Sequence, residues 1–489
     1  MEDRHDVYEE ALVRRYASPE MNHIFSDNFK FPSWRRCWTA LAEAEMELGM
    51  DIITPQMINE LVASQETIDY SIADTEERRR RHDVMAHVHE YGTHCPNAAG
   101  IIHLGATSML VCDNTEIIQQ RDAMNLVKRG LVNFIDNLVG ITEDTKGLAC
   151  LAYTHLQPAQ PTTMGKRFTD YIQNGLMDLD AIEGLRFMGL GAKGTTGTQE
   201  SFMKLFGGDH SKVKALDELF AKKLGFNGVY PVSTQTYPRK FDVQVAQVLA
   251  GIGVSLYKFA QDMRILSHDK CLDEPFRKEQ IGSSAMAYKR NPMRCERIGG
   301  LANDLMGIPA GFQRMASSQM LERTLDDSAY RRRNIPIEFL LTDAILVLAN
   351  DITNRHVDTT KGSPLTFYPA VIRRLLNDEI QFMSTEEILM DLVNKGQDRQ
   401  VMHEVIRRNS QEASNAIKDQ GKSNDLFERL SNDPEFPSHL VELRSYIDNS
   451  LRFCGRALEQ TEEYLEGTVK PKLRQYKDLI GQTKGEVKV

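Results

Sequence analysis

Serine, lysine, arginine and asparagine crowd into GSSAMAYKRNPMRCERI, residues 282–298. Ser283 offers a hydroxyl, Lys289 an ammonium and Asn291 an amide. Loops of this kind between rigid helices are where chemistry tends to sit, although the same stretch alone also reads as a solvated connector. Two further segments strengthen the chemical reading. THLQPAQPTTMGKR, residues 154–167, sets His155 just before a proline-punctuated turn, with the next helix starting near Thr162 or Thr163. GATSML, residues 105–110, is a small-residue turn into a long helical pattern, and the free first-turn N–H groups of a helix suit an anion. A hydroxyl, an imidazole, an ammonium and helix starts form a coherent set for moving protons and holding negative charge.

Other motifs carry less. GLGAKG, residues 189–194, matches G-x-G-x-x-G, but a dinucleotide fingerprint must follow a strand, and LRFM before it reads as helix. HEYGTH, residues 89–94, places its histidines five apart where a zinc-protease helix needs four. His82, His87, His89, His94, Cys95 and His103 fit no standard metal spacing, and polar packing or substrate contact explains them better. Basic residues bunch at 78–82, at 289–290, at Arg294 with Arg297, and at 331–333. They suit either solvated helix faces or a pocket for a small, multiply charged anion.

The elements that must position these residues are helices. Val245, Val248, Leu249, Ile252, Leu256, Phe259, Ala260 and Met263 form one apolar stripe. Val127 to Ile141 and Leu341 to Ile352 give two more. No proline falls between Pro96 and Pro158 or between Pro238 and Pro275, so helices of 25 residues or more are permitted in both intervals. Period-two strand patterns are nearly absent. An all-α bundle follows, with oligomerisation expected to cover such wide apolar faces. DEPFRKEQI, residues 273–281, reads as helix, Asn291-Pro292 ends the serine loop, and a helix begins near Met293. Boundaries near Gly105–Ser108 and at KGSP, residues 361–364, divide the chain into 1–108, 109–362 and 363–489. The lysine-rich tail after Val469 reads as loose.

Composition excludes several classes. A chain of 489 residues is too long for one core, and 41% hydrophobic with 26% charged residues is ordinary for a soluble globular protein. The longest apolar run, 339–352, is broken by Asp343, so no membrane span is expected. Seven scattered cysteines without CxxC and an acidic N-terminus point to a reducing, cytoplasmic compartment. A net charge of −10 argues against general nucleic-acid affinity.

SSAMAYKRNP resembles the S-S-x-M-P-x-K-x-N loop of the fumarase and aspartase superfamily. RYASPEM (15–21), RRHDVMAHVH (80–89), GATS (105–108), THLQPAQ (154–160), KGTTGTQ (193–199), QTYPRK (235–240) and ERTLDDSAYRR (322–332) resemble segments of its branch acting on succinyl-bearing purine nucleotides. The resemblance implies a three-domain, all-α fumarase/aspartase-like fold around a central bundle of long helices. It further implies a homotetramer with active sites shared between subunits, and neither metal nor organic cofactor. The implied reaction is release of fumarate from adenylosuccinate, giving AMP, and from the succinylcarboxamide ribotide of purine synthesis.

By the same resemblance Ser283 is the base and His155 the acid. An imidazole, with an ordinary pKa of about 6.5, can donate to a departing nitrogen near neutral pH. Helix N–H groups and the Lys289 cation must lower the cost of the Ser283 alkoxide, and Lys289, Asn291 and loop N–H groups suit the carbanion intermediate. Arg15, Tyr16, Arg81, His82 and Asp83 match nucleotide-contacting positions, while Arg323, Ser328 and Arg332 match positions gripping phosphate and sugar. Thr107, Ser108, Thr154, Gln235 and Arg297 match succinyl-side or nearby contacts. Argininosuccinate lyase is the rival within the superfamily, opposed by RYASPEM and ERTLDDSAYRR. A silent helical scaffold is the rival outside enzymes, opposed by the intact Ser283, His155 and Lys289. One departure stands out: position 287 is alanine where the superfamily loop has proline, which implies a more flexible loop.

Overall fold

A computed structural model describes residues 10–354, 362–448 and 450–482. The proline-free interval after Pro96 becomes one helix, Ser108–Thr145, of 38 residues, which at 1.5 Å per residue is roughly 57 Å long. The second interval becomes Lys240–His268, 29 residues and roughly 43 Å. Asp326–Thr353 runs 28 residues, roughly 42 Å, despite Pro336 inside it. Met164–Gly184 and Met293–Gly307 complete the bundle. Thr163 caps the former, its hydroxyl accepting from Lys166 N at 3.1 Å, as the threonine pair suggested.

All three apolar stripes face a common core. At its centre Phe134, Phe259 and Tyr171 meet edge to face, with centroids 5.3 and 5.4 Å apart. Lys240–His268, outside the 339–352 run, is by length and composition long and apolar enough to cross a membrane. Its Val245, Leu249, Ile252, Leu256, Phe259 and Met263 are buried in the bundle, which accounts for the apolarity.

A second core gathers Trp34, Trp38, Leu61 and Tyr91 with Phe202, Val213, Leu216 and Phe220, so the helices Glu200–Leu205 and His210–Lys223 pack on the N-terminal layer. A third core lies within 388–446.

Three local expectations are corrected. DEPFRKEQI is not helical: Leu272–Asp273 and Phe276–Arg277 are short strands paired with Thr366–Phe367 and Gly362–Ser363. Pro275 steers Glu274 out of helical backbone, and the Glu274 carboxylate instead accepts from Arg294 N (3.1 Å) and Cys295 N (2.8 Å), capping the helix after the serine loop. LRFM lies beyond the helix that ends at Gly184, with Leu185 extended and Gly189 bridged to Val229. The stretch after Val469 is not loose. It is helical or turn through Tyr476, with Leu473 and Tyr476 buried and Lys470 and Lys472 paired to Glu143 (2.7 Å) and Asp180 (2.8 Å) of the bundle. Residues 483–489, and Lys361 of KGSP, lie outside the described residues.

Several histidines serve packing. His87 stacks on Phe31 with centroids 3.8 Å apart, and His103 Nδ1 accepts from the Trp38 indole at 2.8 Å. Burial pushes both down to about 4, so their cost grows as pH falls from their ordinary value towards 4. Glu45 acts in the opposite sense. It is fully buried, neither carboxyl oxygen has a hydrogen-bond partner among the described residues, and burial pushes it from 4.5 up to about 8. An acid raised in this way supports the fold below its ordinary value and loses that support as pH climbs through 8. Glu45→Gln is therefore expected to leave the melting temperature nearly unchanged at pH 5 and to stabilise by about 2 to 4 kcal/mol at pH 8. Equal shifts at both pH values would contradict this.

Candidate active site

Site residues collect at opposite ends of the long helices. At one end Thr107 is the extended residue before Ser108–Thr145, with φ −117° and ψ 166°; its side chain makes no capping hydrogen bond, and its carbonyl accepts from Leu110 N at 2.9 Å. Ser108 Oγ lies 3.3 Å from His82 Nε2. Arg81 terminates the preceding helix in left-handed backbone, φ 57°, and so turns the chain to present His82. Asp83 accepts from Arg332 at 3.2 Å. Arg323 Nη2 reaches Met109 Sδ at 3.9 Å, and Gln235 N donates to Glu322 O at 3.3 Å, tying the QTYPRK segment to the Arg323 loop. Ser328 is in the first turn of Asp326–Thr353. The structure thus brings Arg81, His82, Asp83, Thr107, Ser108, Gln235, Arg323, Ser328 and Arg332 to one end.

Arg15 and Tyr16 are not joined to them. They lie on the turn Leu12–Tyr16, followed by a bond from Ser18 N to Asp343 at 2.6 Å. Asp343 is roughly 25 Å along its helix from the end that carries Ser328.

At the other end, Tyr153–Thr154 and Gln157–Pro158 pair as a hairpin whose two-residue tip is His155 and Leu156. Both tip residues have positive φ, 54° and 57°. This fits the twist of a tight hairpin and costs non-glycine residues roughly 1 kcal/mol each. The imidazole is exposed. Tyr153 OH reaches Asp269, just past the end of Lys240–His268, at 3.4 Å.

The serine loop lies at this end too, between the short strands and Met293–Gly307. Ser283 Oγ accepts from Ala285 N (3.3 Å) and Met286 N (3.1 Å), an arrangement that stabilises negative charge on the oxygen. Asn291 Nδ2 donates to Gly282 O at 3.0 Å, so its amide closes the loop. Lys289 is exposed, its N–H closing a turn onto Met286 O at 3.0 Å, and Arg297 is on the following helix. Ala287 occupies the second position of that turn, where proline fits. Among the described residues no hydrogen bond or ion pair joins His155 to Ser283.

Gly282 was not among the candidate site residues, yet the loop depends on it. A Cβ there would run into the Lys289 carbonyl oxygen, a backbone atom that cannot step aside. Gly282→Ala is expected to cut kcat by about 100-fold with the melting temperature unchanged, because displacing the loop by an ångström displaces Ser283; full activity would contradict that closure.

The basic runs resolve mostly to structural uses. Arg79 and Arg80 pair with Glu76, both at 2.6 Å, Arg294 is buried against Asp351 at 2.6 Å, and Arg331 is buried among carboxylates. Sequence reasoning also missed Asp113, Arg239 and Asp327, a buried network beneath the first cluster. The spacing of Arg323 and Asp327, four apart, was the available signal.

A long-helix bundle with a serine loop at one end and a basic cluster beside a helix start at the other fits a lyase of the fumarase and aspartase superfamily. A family described as Lyase matches residues 15–307, and one described as Adenylosuccinate lyase C-terminus matches residues 381–464. Among solved structures, the fold is similar to a fumarate lyase from Mesorhizobium sp. BNC1 (TM-score 0.75, 20% identity, 94% of this chain and 100% of that one). It is also similar to the 3-carboxy-cis,cis-muconate lactonizing enzyme from Pseudomonas putida (TM-score 0.78, 21% identity, 94% and 99%). In sequence the chain is 46% identical to the adenylosuccinate lyase of Schizosaccharomyces pombe over all of both chains. It is 45% identical to that of Saccharomyces cerevisiae over 99% of each, and 44% identical to that of Schistosoma mansoni over 98% of each. The chain belongs to the adenylosuccinate lyase family.

Proposed function

We propose that the protein eliminates fumarate from adenylosuccinate, leaving AMP, and from the succinylcarboxamide ribotide of purine synthesis. The observation that carries the division of roles is the pair of backbone N–H groups on Ser283 Oγ. They lower the cost of an alkoxide, which takes a proton from the succinyl carbon next to a carboxylate. Charge develops on that carboxylate, where the Lys289 ammonium suits it. The carbon–nitrogen bond then breaks, its electron pair leaves on nitrogen, His155 protonates that nitrogen, and the former C–H pair becomes the double bond of fumarate. The reading asks for no metal and no organic cofactor. Arg15, Tyr16, Arg81, His82 and Asp83 contact the nucleotide, and Arg323, Ser328 and Arg332 grip its phosphate and sugar; Thr107, Ser108, Thr154, Gln235, Asn291 and Arg297 complete the contacts on and near the succinyl side.

The same reading has the protein work as a homotetramer with shared sites. Arg239, at the start of Lys240–His268, is bonded to Asp113 near the Ser108 end, and Asp269 past its far end meets the His155 hairpin. Roughly 43 Å of helix therefore separates the two clusters, much more than one nucleotide spans. Exposed Leu156 (68%), Tyr288 (84%) and Leu321 (93%) at the two ends are apolar groups that neighbouring copies would cover. The division into 1–108, 109–362 and 363–489 and a cytoplasmic location belong to the same proposal. A side-by-side fumarate-release assay tests it: release from adenylosuccinate and none from argininosuccinate is expected, and release from argininosuccinate alone would overturn the substrate assignment.

A further inference from the structure

One carboxylate beneath the nucleotide end holds two guanidinium groups. Asp327 is fully buried; its Oδ1 accepts from Arg323 Nη1 and its Oδ2 from Arg239 Nε, both at 2.7 Å. Arg239 in turn donates to both oxygens of Asp113, at 3.0 and 3.2 Å. Asp113 is fully buried in the second turn of Ser108–Thr145 and also accepts from Tyr237 N at 3.0 Å. Burial pushes the Asp327 carboxyl up, and Arg239, Arg323 and Arg331 more than offset this, so it stays ionised.

Arg323 itself sits on the connection before Asp326–Thr353, its side chain 16% exposed. Nη1 is spent on Asp327, while among the described residues Nη2 touches only the Met109 thioether, a weak acceptor. Donor capacity is left for an anion. A guanidinium on an unanchored connection would have to be ordered at each binding event, and an arginine carries much rotamer freedom.

We propose that Asp327, braced by Arg239 and Asp113, is a positioning residue for Arg323, fixing its guanidinium against the same helix whose start carries Thr107 and Ser108. The proposal rests on Arg323 gripping the anionic end of the nucleotide. Its energetic consequence is preorganisation: the cost of orienting the fork is met in folding, so loss of Asp327 weakens nucleotide binding more than turnover.

A double-mutant cycle on the full-length enzyme tests this, with Arg323→Ala, Asp327→Asn and the pair. The readouts are kcat, KM for adenylosuccinate, and inhibition by AMP and by fumarate. Arg323→Ala is expected to raise KM and the AMP inhibition constant about tenfold or more, and Asp327→Asn to reproduce most of that rise with kcat within about threefold. Fumarate inhibition stays put, and the pair is no worse than Arg323→Ala alone. Additive effects, or an unchanged KM in folded Asp327→Asn, overturn the proposal. Should Asp327→Asn fail to fold, Asp327→Glu keeps the charge but moves the oxygens, and the same two outcomes decide. The functional reading fails separately: it falls if the wild type releases no fumarate from adenylosuccinate. An active wild type, sensitive to Arg323→Ala but indifferent to both Asp327 variants, overturns only the positioning role.

Discussion

Ser283→Ala is expected to lower kcat on adenylosuccinate by on the order of 10³-fold, the range that loss of a positioned general base commands. KM should change little, because in the proposed mechanism the hydroxyl acts on the reacting carbon and other residues grip the nucleotide. The loop should survive the change. Among the described residues the oxygen accepts only from the N–H groups of Ala285 and Met286, both on exposed residues, and water can take its place. The closing contacts, Asn291 to Gly282 O and Lys289 N to Met286 O, do not involve it. An unchanged melting temperature with collapsed turnover is therefore the expected pairing. Turnover within tenfold of wild type would move the base to another residue.

Much of this was legible in the sequence, and for physical reasons. A proline-free interval with apolar residues at helical spacing has few alternatives, so Ser108–Thr145 and Lys240–His268 were foreseen, as was the helix start at Met293 after Asn291-Pro292. Where reading failed, long-range contacts overrode local preference. DEPFRKEQI has helix-forming residues, but the helix 20 residues on draws the Glu274 carboxylate to its unsatisfied N–H groups, and strands from beyond residue 361 pair with the flanks. The tail after Val469 looks hydrophilic because its lysines are many, yet Leu473 and Tyr476 dock it on the bundle. Arg331 belonged to a basic run that suited either a solvated helix face or an anion pocket, and only the fold reveals Asp242 at 2.8 Å and Glu116 at 2.7 Å around it. The site followed the same rule. Residue types and motif spacing named the Ser283 loop and His155, while the Gly282 closure and the Asp113–Arg239–Asp327 network arise from backbone and helices meeting in space.

That one chain carries its two clusters at opposite ends of rigid helices is the feature on which the mechanism turns. Thr107 and His155 bracket a helix of 38 residues, roughly 57 Å long, and no loop motion shortens it. If both act on one substrate, each working site draws on different copies. Mixing two crippled variants tests this directly. On the proposed roles His155→Gln would lack the acid and Arg323→Ala the anion grip, so each alone should show a kcat/KM far below wild type. After the two are co-assembled in equal amounts, about a quarter of the sites should combine an intact His155 with an intact Arg323 from another copy, and kcat/KM should recover to about that fraction. A mixture no more active than the average of its two parents would contradict the account.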